Sequence, residues 1–401
     1  MASSTVGSVA DAVAVERLPE VVGALRRADA PDGHESERAR ALAGLLRHPA
    51  IEVETQTIVR GRPNVIARVR GTGEGPGLLL DGHFNAGFHP GPWSGDPREP
   101  WVADGRLFGG AVVDMLGGLA AMALALRAVA DHGPPPGDVV LLAGMHEDTI
   151  GLGTKAALAS RDGWPGFGIC GDPTDLQVVT AHGGCVKFEL ELTGHAVHVT
   201  RREDGADALA AAAAVVQALP GTTWSQADPA AHPRLDALPC VVVGELHAGI
   251  GPGVVAPSAV VRGDVRTLPG MTPAGVLADV ERRVAEVVPA GIGCQVRSLF
   301  DQRPLVDVGV APLADALVAA SREIRGREPV VGAPLPGQRY CTEAADMAAF
   351  GIPSVVFGPG DWRFEPDESV ALDDLAAAAR IYAATAVGLR GDQKPSRNTS
   401  L

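Results

Sequence analysis

The 401 residues carry 48 acidic against 34 basic side chains, a net charge of −14, and are 46% hydrophobic and 20% charged. That length exceeds one ordinary hydrophobic core and points to two domains. The acidic balance argues against nucleic acid, which needs a basic face, and no apolar run approaches the roughly 20 residues that span a bilayer, so no membrane is expected. Residues 1–10 lack a basic start followed by an apolar core, so no signal peptide is read. Cys170, Cys185, Cys240, Cys294 and Cys341 are scattered and form no CxxC pair. Reduced thiols in a cytoplasmic protein are the expectation.

In chain order, residues 1–12 read as a frayed start. Glu16 to Arg27 and Glu35 to Leu46 have helical periodicity, and Ile51 to Ile58 and Asn64 to Val69 read as strands. A Gly-rich loop over residues 71–77 leads into Leu78-Leu79-Leu80, which breaks into Asp81-Gly82-His83-Phe84-Asn85. A short apolar run ending in a polar cluster is the pattern of a buried parallel strand with chemistry at its carboxyl end. The pattern recurs at Val139 to Ala143 before His146-Glu147-Asp148, at Phe167 to Cys170 before Gly171-Asp172, and at Ser354 to Phe357 before Gly358-Pro359-Gly360-Asp361. Pro90 to Gly110 reads as a long loop, and Leu119 to Ala130 and Thr154 to Ser160 as helices. The expected fold is α/β, with a mixed, mainly parallel sheet flanked by helices. Its strand ends would gather His83, Asp114, Glu147, Asp148 and Asp172, a donor set suited to zinc.

The middle third changes character. Strands at Val186 to Leu192, Cys240 to Leu246, Val260 to Arg266 and Gln295 to Phe300 alternate with helices at Asp204 to Leu219 and Thr272 to Val287. The order β-α-β-β-α-β is the ferredoxin-like split arrangement. Thr272-Pro273 supplies a cap and a first-turn proline. Residues 1–180 and 301–390 are expected to form one domain and 181–300 an inserted one, with 391–401 a disordered tail. Ala314 to Ile324, Thr342 to Phe350 and Leu372 to Leu389 complete the helices.

The motifs stand in a telling order: Gly82-His83-Phe84-Asn85, Trp93 with Asp96-Pro97, Asp104 to Gly109, Asp114 to Gly118, Glu147-Asp148, Gly171 to Thr174, His195 to His198, Asp264 to Gly270, and Gly358 to Asp361 before Pro366-Asp367-Glu368. Over nearly its whole length the chain resembles the co-catalytic zinc aminoacylase and carboxypeptidase family, which includes acetylornithine deacetylase, succinyl-diaminopimelate desuccinylase and glutamate carboxypeptidase. The resemblance implies that Asp114 bridges two zinc positions, with His83 and Asp172 on the first. It makes Glu147 the general base and Asp148 a ligand of the second metal. It further implies that His198 stabilises the oxyanion in a partner subunit's site, that Arg266 takes the substrate carboxylate, and that the inserted domain serves as lid and homodimer surface. Tyr340-Cys341-Thr342-Glu343-Ala344 is similar to the acetylornithine deacetylase branch and brings Glu343 towards the substrate.

Several positions depart from the family pattern. Phe364 stands where a late ligand His precedes Pro-Asp-Glu, with Glu365 the candidate replacement. Asp148 is one methylene shorter than the usual Glu, and Asn85 replaces an Asp that orients the ligand His. Leu116, Gly110 and Gly253 stand where the family has Lys, Arg and Asn. The first position keeps three ligands and the second only two, so one divalent metal at most, or none, is expected. Plainer roles exist for each residue: a His83–Asp172 ion pair, a helix cap at Asp114, a salt bridge at Arg266, a surface His198, and a core or pocket-wall Phe364. Two functional classes follow. One is an amide-bond enzyme acting on an N-acyl amino acid or small peptide. The other is a repurposed member, metal-free or non-hydrolytic, that uses Glu147 as an acid–base or binds a carboxylated ligand.

Overall fold

The computed structural model describes residues 2–28, 35–85, 87–145, 151–235 and 238–390. Glu147, Asp148 and the 391–401 tail lie outside the described residues. The chain divides into two compact units: residues 1–181, 306–335 and 342–401, and residues 182–305 with 336–341. The segment Pro336–Cys341, which the sequence reading leaves with the first block, belongs to the second unit.

The first unit is built on eight strands: β1 (Ile51–Val59), β2 (Arg62–Val69), β3 (Leu78–His83), β6 (Val139–Gly144), β7 (Phe167–Cys170), β8 (Val178–Val179), β13 (Val331–Gly332) and β14 (Ser354–Val356). Their order is β1-β2-β6-β3-β7-β14-β8-β13. β6, β3, β7 and β14 run parallel. β1 and β2 add an antiparallel edge. Every residue of β3, β6, β7 and β14 is buried. That is why these strands read as continuous apolar runs rather than alternating ones.

Helices α4 (Gly117–His132) and α10 (Leu372–Gly388) pack on each other and bury most of their length. The stretch Val112–His132 is in fact long and apolar enough to cross a membrane by length and composition, contrary to the sequence reading. Its most apolar window is 89% buried inside the protein, so its apolar surface is already covered.

Two other expectations fail. The start of the chain is not frayed but forms α1 (Ala2–Asp11), which packs against α10 and buries Val9 and Ala10. Tertiary burial compensates for the weak local signal of this short helix. The long loop over residues 90–110 holds a hairpin, β4 (Trp101–Ala103) and β5 (Arg106–Phe108), and β5 also pairs with β15 (Ser369–Ala371). Its turn is Asp104-Gly105, with φ of +49° and +71°, the backbone that a two-residue hairpin of this type requires.

The second unit contains β9 (Gly184–Thr193), α6 (Ala208–Ala218), β10 (Cys240–Ala248), β11 (Ser258–Thr267), α7 (Pro273–Ala285) and β12 (Gly293–Gln302). Its four-stranded sheet is antiparallel throughout, in the order β10-β11-β9-β12. Thr272 caps α7 as expected, its hydroxyl accepting from Gly275 N at 3.1 Å with Pro273 in the first turn. Asp207 caps α6 in the same way, accepting from Leu209 N and Ala210 N at 3.1 Å each.

Candidate metal centre

His83 is the last residue of β3, and Asp172 follows β7, the strand beside it. Asp114 lies in a kinked turn, with φ −122° and ψ 95°, just ahead of α4 (Gly117–His132). Close backbone contact holds these pieces together. A Cβ at Gly118 would come 2.6 Å from the Gly171 carbonyl oxygen, and one at Gly358 would come 2.2 Å from the same atom. Glycine is therefore required where α4 and the turn after β14 press on the backbone that presents Asp172.

The three side chains converge. His83 Nε2 lies 3.4 Å from Asp114 Oδ1 and 3.4 Å from Asp172 Oδ1. His83 and Asp172 are only 4% and 8% exposed, while Asp114 is half-buried and leaves the group open on its side. In a tetrahedral zinc site with bonds near 2.0–2.1 Å, neighbouring ligand atoms stand about 3.4 Å apart. One imidazole nitrogen and two carboxylate oxygens at these spacings fit such an ion. Asp114 does not cap α4, whose N-cap residue Leu116 makes no side-chain cap bond.

A second acidic layer lies behind the first. Cys170 donates its thiol to Asp172 Oδ2 at 3.0 Å, and its sulfur also lies 3.9 Å from Asp81 Oδ1 and 3.8 Å from Glu343 Oε2. Burial, then the charges of Asp172, Glu343 and Asp81, pushes the Cys170 thiol well above its usual range. Asp81 is fully buried and accepts from Thr154 Oγ1 at 2.9 Å. Burial raises its carboxyl well above the ordinary value. Asp81, Cys170 and Glu343 are within ligand spacing of one another, but two of the three favour their protonated forms. Glu343, expected near substrate, is buried in this layer with 6% exposure.

The loop carrying the departures is ordered by aromatic and hydrogen-bond contacts. Phe364 has φ +49° and is half exposed rather than a core residue. Its ring packs edge-on to His89 and tilts against Trp362. Asp367 holds the loop to Ser94, accepting from its amide at 2.8 Å and its hydroxyl at 2.6 Å. Glu365 is exposed and belongs to neither group of clustered ligand atoms among the described residues. Asn85 Oδ1 accepts from Gly87 N at 3.0 Å. Glu368 is 7% exposed, and its Oε1 is buried without a hydrogen-bond partner. Burial raises its carboxyl to about 7, opposed in part by hydrogen bonding from the Val113 amide and reinforced by the Asp114 charge.

In the second unit, His198 is exposed, and its Nδ1 accepts from Thr200 N at 3.3 Å. The same nitrogen lies 2.9 Å from Thr200 Oγ1. Arg266 pairs with Asp264 at 3.0 Å and donates to the Arg339 carbonyl at 3.1 Å. The salt bridge foreseen as its plain role is therefore present.

Residues 79–387 match the profile of the peptidase family M20/M25/M40. The chain belongs to that family. The chain is 29% identical over 340 residues to acetylornithine deacetylase of Aliivibrio salmonicida strain LFI1238, covering 82% of this chain and 85% of that one. It is 27% identical over 358 residues to acetylornithine deacetylase of Vibrio cholerae strain M66-2, covering 87% and 90%. Among solved structures, human carnosine dipeptidase 1 superimposes with a TM-score of 0.74 at 15% identity, over 96% of this chain and 98% of that one. Aminopeptidase PepT of Bacillus cereus gives 0.70 at 18%, over 94% and 99%. The α/β fold with a separate small antiparallel sheet is thus that of M20 peptidases.

Within this M20 chain, the structure brings together His83, Asp114 and Asp172 of the expected site. His198 and Arg266 lie in the other unit, and Glu147 and Asp148 fall outside the described residues. Sequence reasoning gave no role to Asp81, Cys170 or Glu368. For Asp81 a signal existed: an acid inside an otherwise apolar buried strand demands a partner. Glu368 stood only as the end of the Pro366-Asp367-Glu368 motif, and nothing local marked it as buried.

Proposed function

We propose that this protein is a metal-assisted amide hydrolase acting on an N-acyl amino acid or a small peptide. The observation that carries this reading is the convergence of His83, Asp114 and Asp172 at 3.4 Å spacings. These three residues would hold one divalent ion, zinc by donor type, as typical of the M20 family. Bound there, the ion supplies Lewis acidity to the scissile carbonyl. Glu147, in the segment that follows β6, takes the proton of the attacking water and returns it to the leaving amine. His198 supports the oxyanion in a partner subunit's site, and Arg266 receives the substrate carboxylate through its planar fork. Water adds across the C–N bond to give a carboxylic acid and an amine. Asp148 and Glu365 are the remaining acids for a second ion. With Phe364 in the loop we set the metal count at one at most.

The test is elemental mass spectrometry on protein purified without chelator and supplied with zinc, beside a panel of N-acyl amino acids scored for released amine. About one zinc per chain, lost in His83→Ala together with amine release, is the expected result. Protein that binds no metal and releases no amine overturns the reading. Phe364→His sharpens it: a strong gain of hydrolysis would assign the native protein a non-hydrolytic role.

We place a homodimer contact on the second unit. β10 is an edge strand, and Val242, Leu246 and Ile250 expose apolar side chains along it and just beyond. Sedimentation of Val242→Arg should show a monomer where the native chain sediments as a dimer.

A further inference from the structure

Three cysteines of the second unit surround one arginine. Across the sheet, Cys240 of β10 pairs in register with Arg266 of β11, and Arg266 with Cys185 of β9. Directly opposed residues of antiparallel strands share a face, so the three side chains form a row. Cys341 comes to this row from the segment Pro336–Cys341, and its Sγ lies 3.4 Å from Cys185 Sγ. Arg266 Nη1 lies 3.7 Å from Cys341 Sγ. Both thiols are reduced, and no redox role attaches to them in the hydrolytic reading above.

We propose that Cys185 and Cys341 are a redox pair that a hydroperoxide converts to a disulfide. The geometry asks for little movement, since two sulfurs 3.4 Å apart need to approach to about 2 Å. The surroundings favour the reactive form. The Cys341 thiol hydrogen-bonds Cys185 and, with the Arg266 guanidinium, lowers the Cys185 thiol against the opposing effects of burial and of the Asp264 carboxylate. A thiolate beside a cation is the usual setting of an oxidisable cysteine. Cys341 is only half buried, which gives the pair a side open to solvent.

The Cys185 thiolate attacks one peroxide oxygen. The O–O bond breaks, the second oxygen leaves as water after taking a proton, and Cys185 becomes a sulfenic acid. The Cys341 thiol then attacks that sulfur, an S–S bond forms, and the sulfenic oxygen leaves as a second water. Two thiols and one peroxide yield one disulfide and two waters, and a dithiol reductant reverses the change. The other thiols lack this arrangement. Cys294 is exposed with no sulfur partner among the described residues, Cys170 is fully buried among carboxylates, and Arg266 stands between Cys240 and Cys185 in the row.

The experiment exposes the full-length protein to a small excess of hydrogen peroxide, quenches it in denaturant and counts free thiols, with peptide mapping by mass spectrometry. The expected result is a fall from five thiols to three, with the peptides of Cys185 and Cys341 joined and both thiols regained on reduction. In Cys341→Ser the same treatment should leave a dimedone-reactive sulfenic acid on Cys185. Five remaining thiols, oxidation confined to Cys294, or a bridge that uses Cys240 would each overturn the proposal. The native protein alone decides the outcome, so a poorly folded variant does not blunt the test.

Discussion

Cys170 lies at the end of β7 with Asp172, Glu343 and Asp81 around its sulfur, while Cys185 lies on β9 with Cys341 and Arg266 around its own. Both residues are buried to within 1% of full burial. Burial alone would raise both thiols. At Cys170 the carboxylates add to that rise, so the group stays a proton donor. At Cys185 the neighbouring thiol and the guanidinium reverse it. The same side chain is thus a hydrogen-bond donor in one unit and a latent nucleophile in the other, and the charge its neighbours carry makes the difference. The first unit collects negative charge at its strand ends, the setting for a cation. The second sets the Arg266 guanidinium, paired with Asp264, on its sheet face beside the two thiols.

The largest expected effect comes from breaking the acidic side of this contrast at its one basic member. His83→Ala removes the nitrogen that faces both Asp114 and Asp172. Loss of an outer partner of a ligand costs about 10–100-fold in metal affinity, so loss of the ligand itself should cost more than about 100-fold. Chelator competition measures the affinity directly, without reference to activity. An unchanged affinity would move the metal away from this group.

Next comes Glu368, which tests the same accumulation of charge through pH. Its carboxyl is raised to about 7 from the ordinary 4.5, chiefly by burial. The folded state therefore holds this proton more tightly than the unfolded state does. Between those two values the folded protein binds more protons, so stability falls as pH rises. The favourable contribution is complete below about pH 4.5 and lost above about pH 7, with an upper size of roughly 3 kcal/mol. Urea denaturation of chelator-treated protein at pH 5 and pH 7.5 should show that decline, and Glu368→Gln should flatten it. An equal decline in the variant would place its origin in other groups.

Much of this was legible in the sequence, and for definite reasons. Leu78-Leu79-Leu80 and Val139 to Ala143 read as parallel strands because both of their faces are buried, which leaves no alternation to mislead. Thr272-Pro273 marked a helix start because a cap and a proline are local signals. His83, Asp114 and Asp172 stood out because each follows an apolar run or opens a helix. The Trp101–Phe108 hairpin was hidden by its three-residue strands, although Asp104-Gly105 is a strong turn signal. The N-terminal helix was hidden because its order comes from α10, more than 300 residues later in the chain. The thiol pair was invisible for the same reason, since 156 positions separate Cys185 and Cys341.

The smallest effect concerns Cys170, and it asks whether a thiol among carboxylates has a task. Its proton goes to Asp172 Oδ2 at 3.0 Å, while the other oxygen, Oδ1, faces His83. A donor on one carboxylate oxygen fixes the rotation of the group and directs the second oxygen at the ion. Such outer partners change affinity by about 10–100-fold when removed. Cys170→Ala should weaken zinc binding within that range and leave the far-ultraviolet circular dichroism unchanged. Cys170→Ser retains a donor of similar shape and should recover most of the affinity, because the task needs an X–H group and not a sulfur. If serine and alanine weaken binding equally, the sulfur acts through its volume in the packed layer between Asp81 and Glu343. The contrast with Cys185 would then rest on charge at one site only.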